Sequence, residues 1–189
     1  LERIQLELSR AGWSNLSALL ESLGTASRAI YLPSSATEFG TVMALVPLVR
    51  PEPPDIKLPR GFAIRYGREG EIGLLLYTPG SMAVSRCLGV GAIGSDAAAS
   101  LTNCLINHLT IARRVTVMSG SDGITVVVNG SRINELYSNE LVKAVLGSPT
   151  ASLVAAVVAE SLNSPIVIES EEVRGGNVVV RLRAVGHGA

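Results

Sequence analysis

Hydrophobic positions near the N terminus recur with the period of an amphipathic helix. Ser14 is a suitable N-cap for this helix, and Gly24 is a suitable left-handed stop. Residues 1–12 fit a strand or a helix equally well. If they are helical, residues 1–24 form a helix-turn-helix held by Trp13. The leucines that form the stripe are Leu16, Leu19, Leu20 and Leu23.

Short runs of apolar and β-branched residues follow, and glycine-bearing turns join several of them. The charged tip at residues 67–71, the turn at residues 120–123 and the glycines at residues 175–176 each predict a β-hairpin. Because a hairpin joins antiparallel strands, we expect a mainly antiparallel sheet. The predicted strands are residues 28–32, 38–49, 61–66, 72–78, 82–88, 115–118, 124–129, 165–169 and 178–183.

Two helices are predicted in the second half of the chain before the last apolar segment. The longer one covers residues 95–112, where Ser95 is a suitable cap and Asp96 lies in the first turn, favoured there by the helix dipole. The shorter one covers residues 139–146, with Ser138 as its cap.

The last helix is predicted at the centre of the core. Ser148 caps it, Pro149 takes its first position, and residues 149–163 are apolar on nearly every side. Its start, Gly147-Ser148, is similar to Gly94-Ser95 about 52 residues earlier, and a hairpin follows each helix. The chain therefore contains either a repeated helix-hairpin unit or two alanine-rich helices that are alike by chance.

Together these elements predict an α+β fold with a mainly antiparallel sheet and helices packed on one face. Residues 1–189 are expected to form a single domain. The proline-rich residues 51–59 are the best place for a subdivision, although a rigid loop across the surface explains them equally well.

Composition narrows the class of protein. Of the 189 residues, 47% are hydrophobic and 17% charged, so the chain can bury a sizeable core. The formal net charge is zero, which argues against a nucleic-acid backbone as the main partner. No apolar run reaches the roughly 18 residues that span a bilayer, so we expect no membrane segment.

Residue usage also suggests where the protein works. Two cysteines give no disulfide framework, so we expect a cytoplasmic protein. Gln5 is the only glutamine and cysteine is scarce, which is typical of a heat-adapted protein. Lys57 and Lys143 are the only lysines, and a GC-rich genome would also favour arginine over lysine. The apolar last helix indicates either a covered face or a homodimer, and we expect a homo-oligomer.

The segment that looks most like a ligand site is the glycine loop, residues 89–96. It matches the GxGxxG pattern, but a dinucleotide fold needs a parallel strand after the following helix, and here an antiparallel hairpin follows. Backbone amides at a helix start can still hold a small anion, although the Asp96 carboxylate competes for that position. The candidate ligand-binding residues are Gly89, Gly91, Gly94, Ser95 and Asp96, walled by Pro79-Gly80-Ser81.

The glycine loop also distantly resembles the glycine-serine phosphate loop of small-molecule kinases of the galactokinase and mevalonate kinase type. That resemblance implies a phosphorylated or nucleotide-like ligand. Asp96 stands where those kinases prefer serine and the chain is short for such an enzyme, so the chain is not assigned to them.

One pair of side chains suggests thiol chemistry. Cys104 and His108 are four residues apart on the predicted helix, so they can meet as a reactive pair. Adding Cys87 and His187 completes a Cys2His2 set, but the spacing is not that of a known zinc finger, and we expect no metal. Core packing of the cysteines and a Cys87–Cys104 disulfide are the alternatives.

Few residues in the sequence are suited to acid-base catalysis. Glu160 is the one charge in the apolar last helix, and it is either an exposed edge residue or a buried carboxylate with a shifted pKa. We therefore expect a cytoplasmic, non-enzymatic module that binds a small ligand or a partner protein, with no cofactor. The first alternative is an enzyme that acts on a phosphorylated or nucleotide-like small molecule at the glycine loop. The second is a nucleic-acid-associated protein that uses residues 1–24.

Overall fold

Eight strands form one antiparallel sheet in the computed structural model, which describes residues 2–25 and 27–186, without the side chains of residues 2, 3 and 6. Every strand pair is antiparallel, so the predicted α+β fold is confirmed. The order across the sheet is β3-β4-β2-β1-β7-β8-β6-β5. The strands are β1 (Ile30–Leu32), β2 (Met43–Pro47), β3 (Ala63–Tyr66), β4 (Glu71–Leu76), β5 (Arg114–Gly120), β6 (Gly123–Asn129), β7 (Ile166–Arg174) and β8 (Asn177–Ala184).

Five α-helices accompany the sheet in the described part of the chain. They are α1 (Glu2–Ser22), α2 (Pro79–Gly89), α3 (Ala97–Leu101), α4 (Glu140–Leu146) and α5 (Pro149–Leu162). A π-helical segment, Thr102–His108, continues α3. The three hairpins predicted from the glycine-bearing turns are all present, because β3 pairs with β4, β5 with β6, and β7 with β8.

Helix α5 is the centre of the core, as its apolar sequence predicts. Ser148 caps it by accepting a hydrogen bond from the Ala151 amide, and Pro149 is its first residue. Its neighbour α2 approaches so closely that a Cβ on Gly80 would overlap the Ser152 carbonyl oxygen. The helical stretch Glu140–Leu162, which contains α4 and α5, is long and apolar enough to cross a membrane. However, 78% of its most apolar 18 residues are buried inside the fold, as is also found for core helices of soluble proteins.

Two buried tyrosines brace the junction between α4 and α5. The Tyr31 hydroxyl donates to the Leu146 carbonyl at 2.7 Å, and the Tyr137 hydroxyl donates to the Gly147 carbonyl at 2.6 Å. Burial raises the pKa of both hydroxyls far above the usual value for tyrosine. Both side chains therefore act as neutral hydrogen-bond donors that hold the turn between the helices.

The N-terminal helix-turn-helix prediction is wrong. Residues 2–22 form a single helix, and the chain leaves it through Gly24, whose φ is +66°. Gly12 does not interrupt the helix, because an isolated glycine costs only about 1 kcal/mol in a helix interior. The nucleic-acid alternative thereby loses the motif on which it rested.

The strand predicted at residues 82–88 is also wrong, because this segment is helical. Thr78 and Ser81 form a reciprocal capping box, in which each side chain accepts a hydrogen bond from the backbone amide of the other residue. Pro79 then takes the first position of α2. The Pro-Gly signal therefore begins a helix here rather than a turn between strands.

Two helix caps differ from the prediction by one residue. Asp96, not Ser95, caps α3 and accepts a hydrogen bond from the Ala99 amide at 2.9 Å. Asn139, not Ser138, caps α4. The helix predicted over residues 95–112 also ends earlier, at His108, after its π-helical turns.

The proline-rich residues 51–59 run over the surface and are anchored by the buried Pro54 and Leu58. Leu58 is fully buried, and its backbone bonds to Ala36 and Glu38. The Tyr66 hydroxyl donates to the Arg50 carbonyl at 2.9 Å, and burial raises the pKa of Tyr66 to about 12. The strands before and after this segment, β2 and β3, belong to the same sheet.

The β5–β6 and β7–β8 hairpins meet through their second strands. Val126 of β6 pairs with Val180 of β8, and each valine lies three residues after the first residue of its strand. The two hairpins are thus arranged about a local two-fold axis at this pair. That the similar helix starts Gly94-Ser95 and Gly147-Ser148 belong to a repeated helix-hairpin unit stays a prediction.

Candidate functional site

The glycine loop, residues 89–96, joins α2 to α3 and lies on the surface. Gly91 has a φ of +69°, and the first three residues of the loop are exposed. A helix rather than a strand precedes the loop. The GxGxxG pattern therefore has neither of the strands that a dinucleotide site requires.

Three of the loop's amides are bonded within the chain. Those of Gly91 and Ala92 bond to carbonyls at the end of α2, and that of Gly94 bonds to the Ser100 hydroxyl at 3.0 Å. The Asp96 carboxylate already occupies the start of α3. These contacts disfavour the binding of an anion at the loop. The ligand site there stays a prediction.

The segment Pro79-Gly80-Ser81 does not wall the glycine loop. It forms the first turn of α2, whereas the loop follows the last turn. Ser81 is fully buried, and Gly80 packs against α5. This serine and glycine therefore serve helix packing.

Both cysteines are buried and joined by a disulfide between Cys87 of α2 and Cys104 of the π-helical segment. A reactive Cys104 thiol beside the exposed His108 would require reduction of this bond. His187 lies outside the described residues. Within those residues, no group of three or more His, Cys, Asp and Glu side chains could hold a metal ion.

Glu160, the one charge of α5, has a structural role. Its carboxylate accepts hydrogen bonds from the Ser34 amide and the Ser34 hydroxyl, both at 2.7 Å. These two bonds satisfy a half-buried carboxylate and fasten the turn after β1 to the end of α5.

A large apolar groove lies between α1 and the end of the sheet. We call it the α1 groove, and its volume is about 970 Å³. Met43 at the start of β2 and Leu75-Leu76 at the end of β4 contribute the sheet side. Its lining comprises Leu8, Ser9, Gly12, Trp13, Asn15, Leu16 and Leu19 of α1, and Phe39, Met43, Arg60, Gly61, Phe62, Leu75, Leu76 and Tyr77.

Aromatic side chains are concentrated in the α1 groove. The chain has seven aromatic residues, and Tyr31, Tyr66 and Tyr137 are buried. The other four all line the groove: Trp13, Phe39, Phe62 and Tyr77. Phe62 and Tyr77 are 56% and 54% exposed and belong to one contiguous apolar surface, the kind of patch that marks ligand or partner sites.

Among the residues whose side chains are described, Arg60 is the one charged residue that lines the groove. Its guanidinium lies 6.0 Å from the centre of the Phe39 ring, and its Nε donates to the Glu38 carbonyl at 3.0 Å. No ion pair of Arg60 with a carboxylate is present in the described part of the chain. Its remaining N–H groups are thus available to an anion.

Three features hold α1 against the rest of the fold and so form one wall of the groove. The Trp13 ring packs on the Tyr137 ring with 4.5 Å between centroids. The Ser17 hydroxyl donates to the Asn139 side chain at 3.1 Å. Leu20 is fully buried. The polar cap of α4 and the apolar stripe of α1 therefore set the position of the groove wall.

Sequence reasoning missed this groove. The helix-turn-helix prediction places Trp13 between two helices, and the sequence patterns give the other three aromatic residues no role. A usable signal was present, because apolar residues such as Leu8 extend the α1 stripe beyond what the core covers. Which distant segments meet α1 could not be inferred from spacing along the chain.

The chain belongs to a family described as a domain of unknown function (DUF7982), whose model matches residues 6–183. No curated protein and no solved structure matches the chain.

Proposed function

We propose that this protein is a non-catalytic binding domain whose α1 groove takes an amphiphile with a long apolar chain and an anionic head. The observation that carries the proposal is the collection of every non-buried aromatic side chain in one apolar groove with a single arginine. Small-molecule sites are typically clefts of about 300–1,000 Å³ with mainly apolar walls and a few polar groups.

The apolar part of the ligand follows from the groove walls. Leucine, methionine and aromatic side chains offer contacts to a chain of methylene groups, and each buried methylene contributes about 0.8 kcal/mol. A strongly polar ligand such as a sugar phosphate would leave its hydroxyls without partners there.

The anionic head follows from Arg60. An arginine beside an apolar surface pairs with a carboxylate or a phosphate through parallel N–H donors. Its contact with the Phe39 ring and its bond to the Glu38 carbonyl orient the guanidinium at the groove. The ligand class supported best is therefore an amphiphile with a carboxylate or phosphate head, and a long-chain carboxylate is the simplest member with which to test it.

Trp13 provides a direct test, because it is the only tryptophan and it lines the groove. Stearate that carries a nitroxide label should quench Trp13 fluorescence in a saturable manner, and unlabelled stearate should reverse the quenching. Quenching that rises linearly without saturation would refute the proposal. A signal that follows protein concentration instead would assign the groove to a second copy of the chain.

Gly12 allows the groove to be blocked without harm to the fold. A Cβ at Gly12 would meet no other heavy atom within 4 Å, and the residue lies within α1. We expect Gly12→Leu to weaken stearate binding at least about tenfold, or about 1.4 kcal/mol, while the better helix propensity of leucine maintains or raises stability.

The matched control is Gly12→Ala. It improves helix propensity by up to about 1 kcal/mol but adds only a methyl group to the groove. We expect its stearate affinity to remain close to that of the unmodified protein. Equal binding by Gly12→Leu and Gly12→Ala would show that stearate does not occupy the groove.

A further inference from the structure

The two edges of the sheet differ in how far they are protected. Edge strand β3 has four residues, and the charged Arg65 lies within it. Edge strand β5 has seven residues, pairs with β6 without a bulge, and carries a charge only at its first residue, Arg114. Sheet proteins usually protect exposed edges with short strands, charges, prolines or bulges. Strand β5 has almost none of these features.

The hairpin register shows which backbone groups of β5 point outward. Gly120 and Gly123 flank a two-residue turn, so they form a hydrogen-bonded pair, as do alternate residues along the ladder. The amides and carbonyls of Val115, Val117 and Ser119 therefore point away from β6. These outward groups can pair with another extended strand.

A second copy of β5 fits this edge better than an unrelated strand. Antiparallel pairing centred on Val117 places each Val117 opposite the partner's Val117 and each Val115 opposite the partner's Ser119. All three outward-pointing residues then take part in the ladder. Arg114 lies opposite the partner's Gly120, and the two Arg114 side chains are about 20 Å apart along the strands.

Charge complementarity supports the same register. The hairpin turn that follows the partner's Gly120 contains the partner's Asp122, which lies beside Arg113 and Arg114. Within the described residues, none of these three side chains takes part in an ion pair of its own chain. Each end of the strand pair thus brings two arginines to one aspartate.

We propose that two copies of this chain pair through β5 to form a symmetric dimer with a continuous sixteen-stranded sheet. This interface is independent of the α1 groove, because the groove lies near β2, β3 and β4 and β5 is at the opposite end of the sheet order. Dimerisation would therefore leave one open groove on each copy.

Val117→Pro tests the backbone pairing. Proline removes one outward N–H from the centre of the interface, and an edge strand tolerates proline where the N–H faces solvent. Size-exclusion chromatography with light scattering should give the mass of a dimer for the unmodified protein and of a monomer for Val117→Pro. Trp13 fluorescence checks that the variant is folded.

A charge reversal tests the register without a change in the backbone. Asp122 is exposed in its turn, so Asp122→Arg should fold normally and shift the mass towards the monomer. Adding Arg113→Glu and Arg114→Glu to Asp122→Arg should restore the dimer. The control Arg68→Glu, at the β3–β4 turn, should leave the dimer unchanged. A monomeric unmodified protein, or a dimer that survives both Val117→Pro and Asp122→Arg, would overturn the proposal.

Discussion

The glycine loop and the α1 groove are both exposed, yet they leave different groups exposed to solvent. In the loop, the amides of Gly91, Ala92 and Gly94 are bonded to neighbouring parts of the chain, and Asp96 caps the helix that follows. In the groove, large apolar side chains such as Phe62 and Tyr77 remain in contact with water.

This difference shows where a ligand would lower the free energy. A ligand held by the amides of Gly91, Ala92 or Gly94 would have to displace hydrogen bonds that the chain already makes, and such an exchange yields little net stabilisation. A ligand in the α1 groove would remove apolar surface from water, which is favourable by about 25 cal/mol per Å². An apolar ligand in the α1 groove would therefore gain more free energy than an anion at the glycine loop.

Removal of the disulfide should lower the free energy of unfolding most and should show that the glycine loop and the α1 groove are independent. Cys87→Ala with Cys104→Ala opens a link that spans 17 residues and the whole glycine loop. We expect the free energy of unfolding to fall by about 3 kcal/mol, because the unfolded chain regains conformational freedom. Urea unfolding followed by Trp13 fluorescence measures this loss, and stearate affinity should stay unchanged. A parallel loss of stearate affinity would mean that the regions are coupled.

A side chain at Gly91 should have the next largest effect. Its φ of +69° is left-handed, so Gly91→Ala should cost about 1–2 kcal/mol of stability although the position itself is open. Thermal unfolding with and without stearate measures the effect. The matched control is Gly89→Ala, where the position is equally open and lies at the end of a helix. Impaired ligand binding by Gly91→Ala alone would return the glycine loop to consideration as the site.

Loss of the α3 cap should be smaller still. Asp96→Ala removes the carboxylate that accepts from the Ala99 amide, and loss of such a cap costs about 1 kcal/mol. Asp96→Asn, which keeps an acceptor, should recover most of this stability in a denaturation experiment. If Asp96→Ala left stability unchanged but altered the response to phosphorylated compounds, the loop would be functional rather than structural.

The smallest effect concerns the charge in the α1 groove. Arg60 is exposed, so its pairing with a carboxylate should contribute about 0.2–1 kcal/mol. Arg60→Gln should therefore weaken stearate binding by up to about fivefold and leave the uncharged alcohol of the same length unaffected. Titration of both ligands against Trp13 fluorescence gives the ratio. An equal change for both would show that Arg60 contributes packing and not charge recognition.

Local patterns predicted much of the fold. Neighbouring residues predict the two-residue turns with glycine, the Ser148-Pro149 helix start and the mainly apolar α5, and each is present. Predictions failed where two local signals competed. Thr78 and Ser81 made the Pro-Gly segment a helix start, and the helical stripe in α1 continued through Gly12.

The sequence by itself determined the antiparallel hairpins and the central position of α5, because these depend on turn chemistry and on apolar residues within a few positions of one another. Only the tertiary structure decided that α1 lies beside the ends of β2 and β4, and that Phe39, Phe62 and Tyr77 join Trp13 there. These residues are up to 64 positions apart, and pairing of distant strands brings them together. The α1 groove is therefore a product of sheet topology, which no local period encodes.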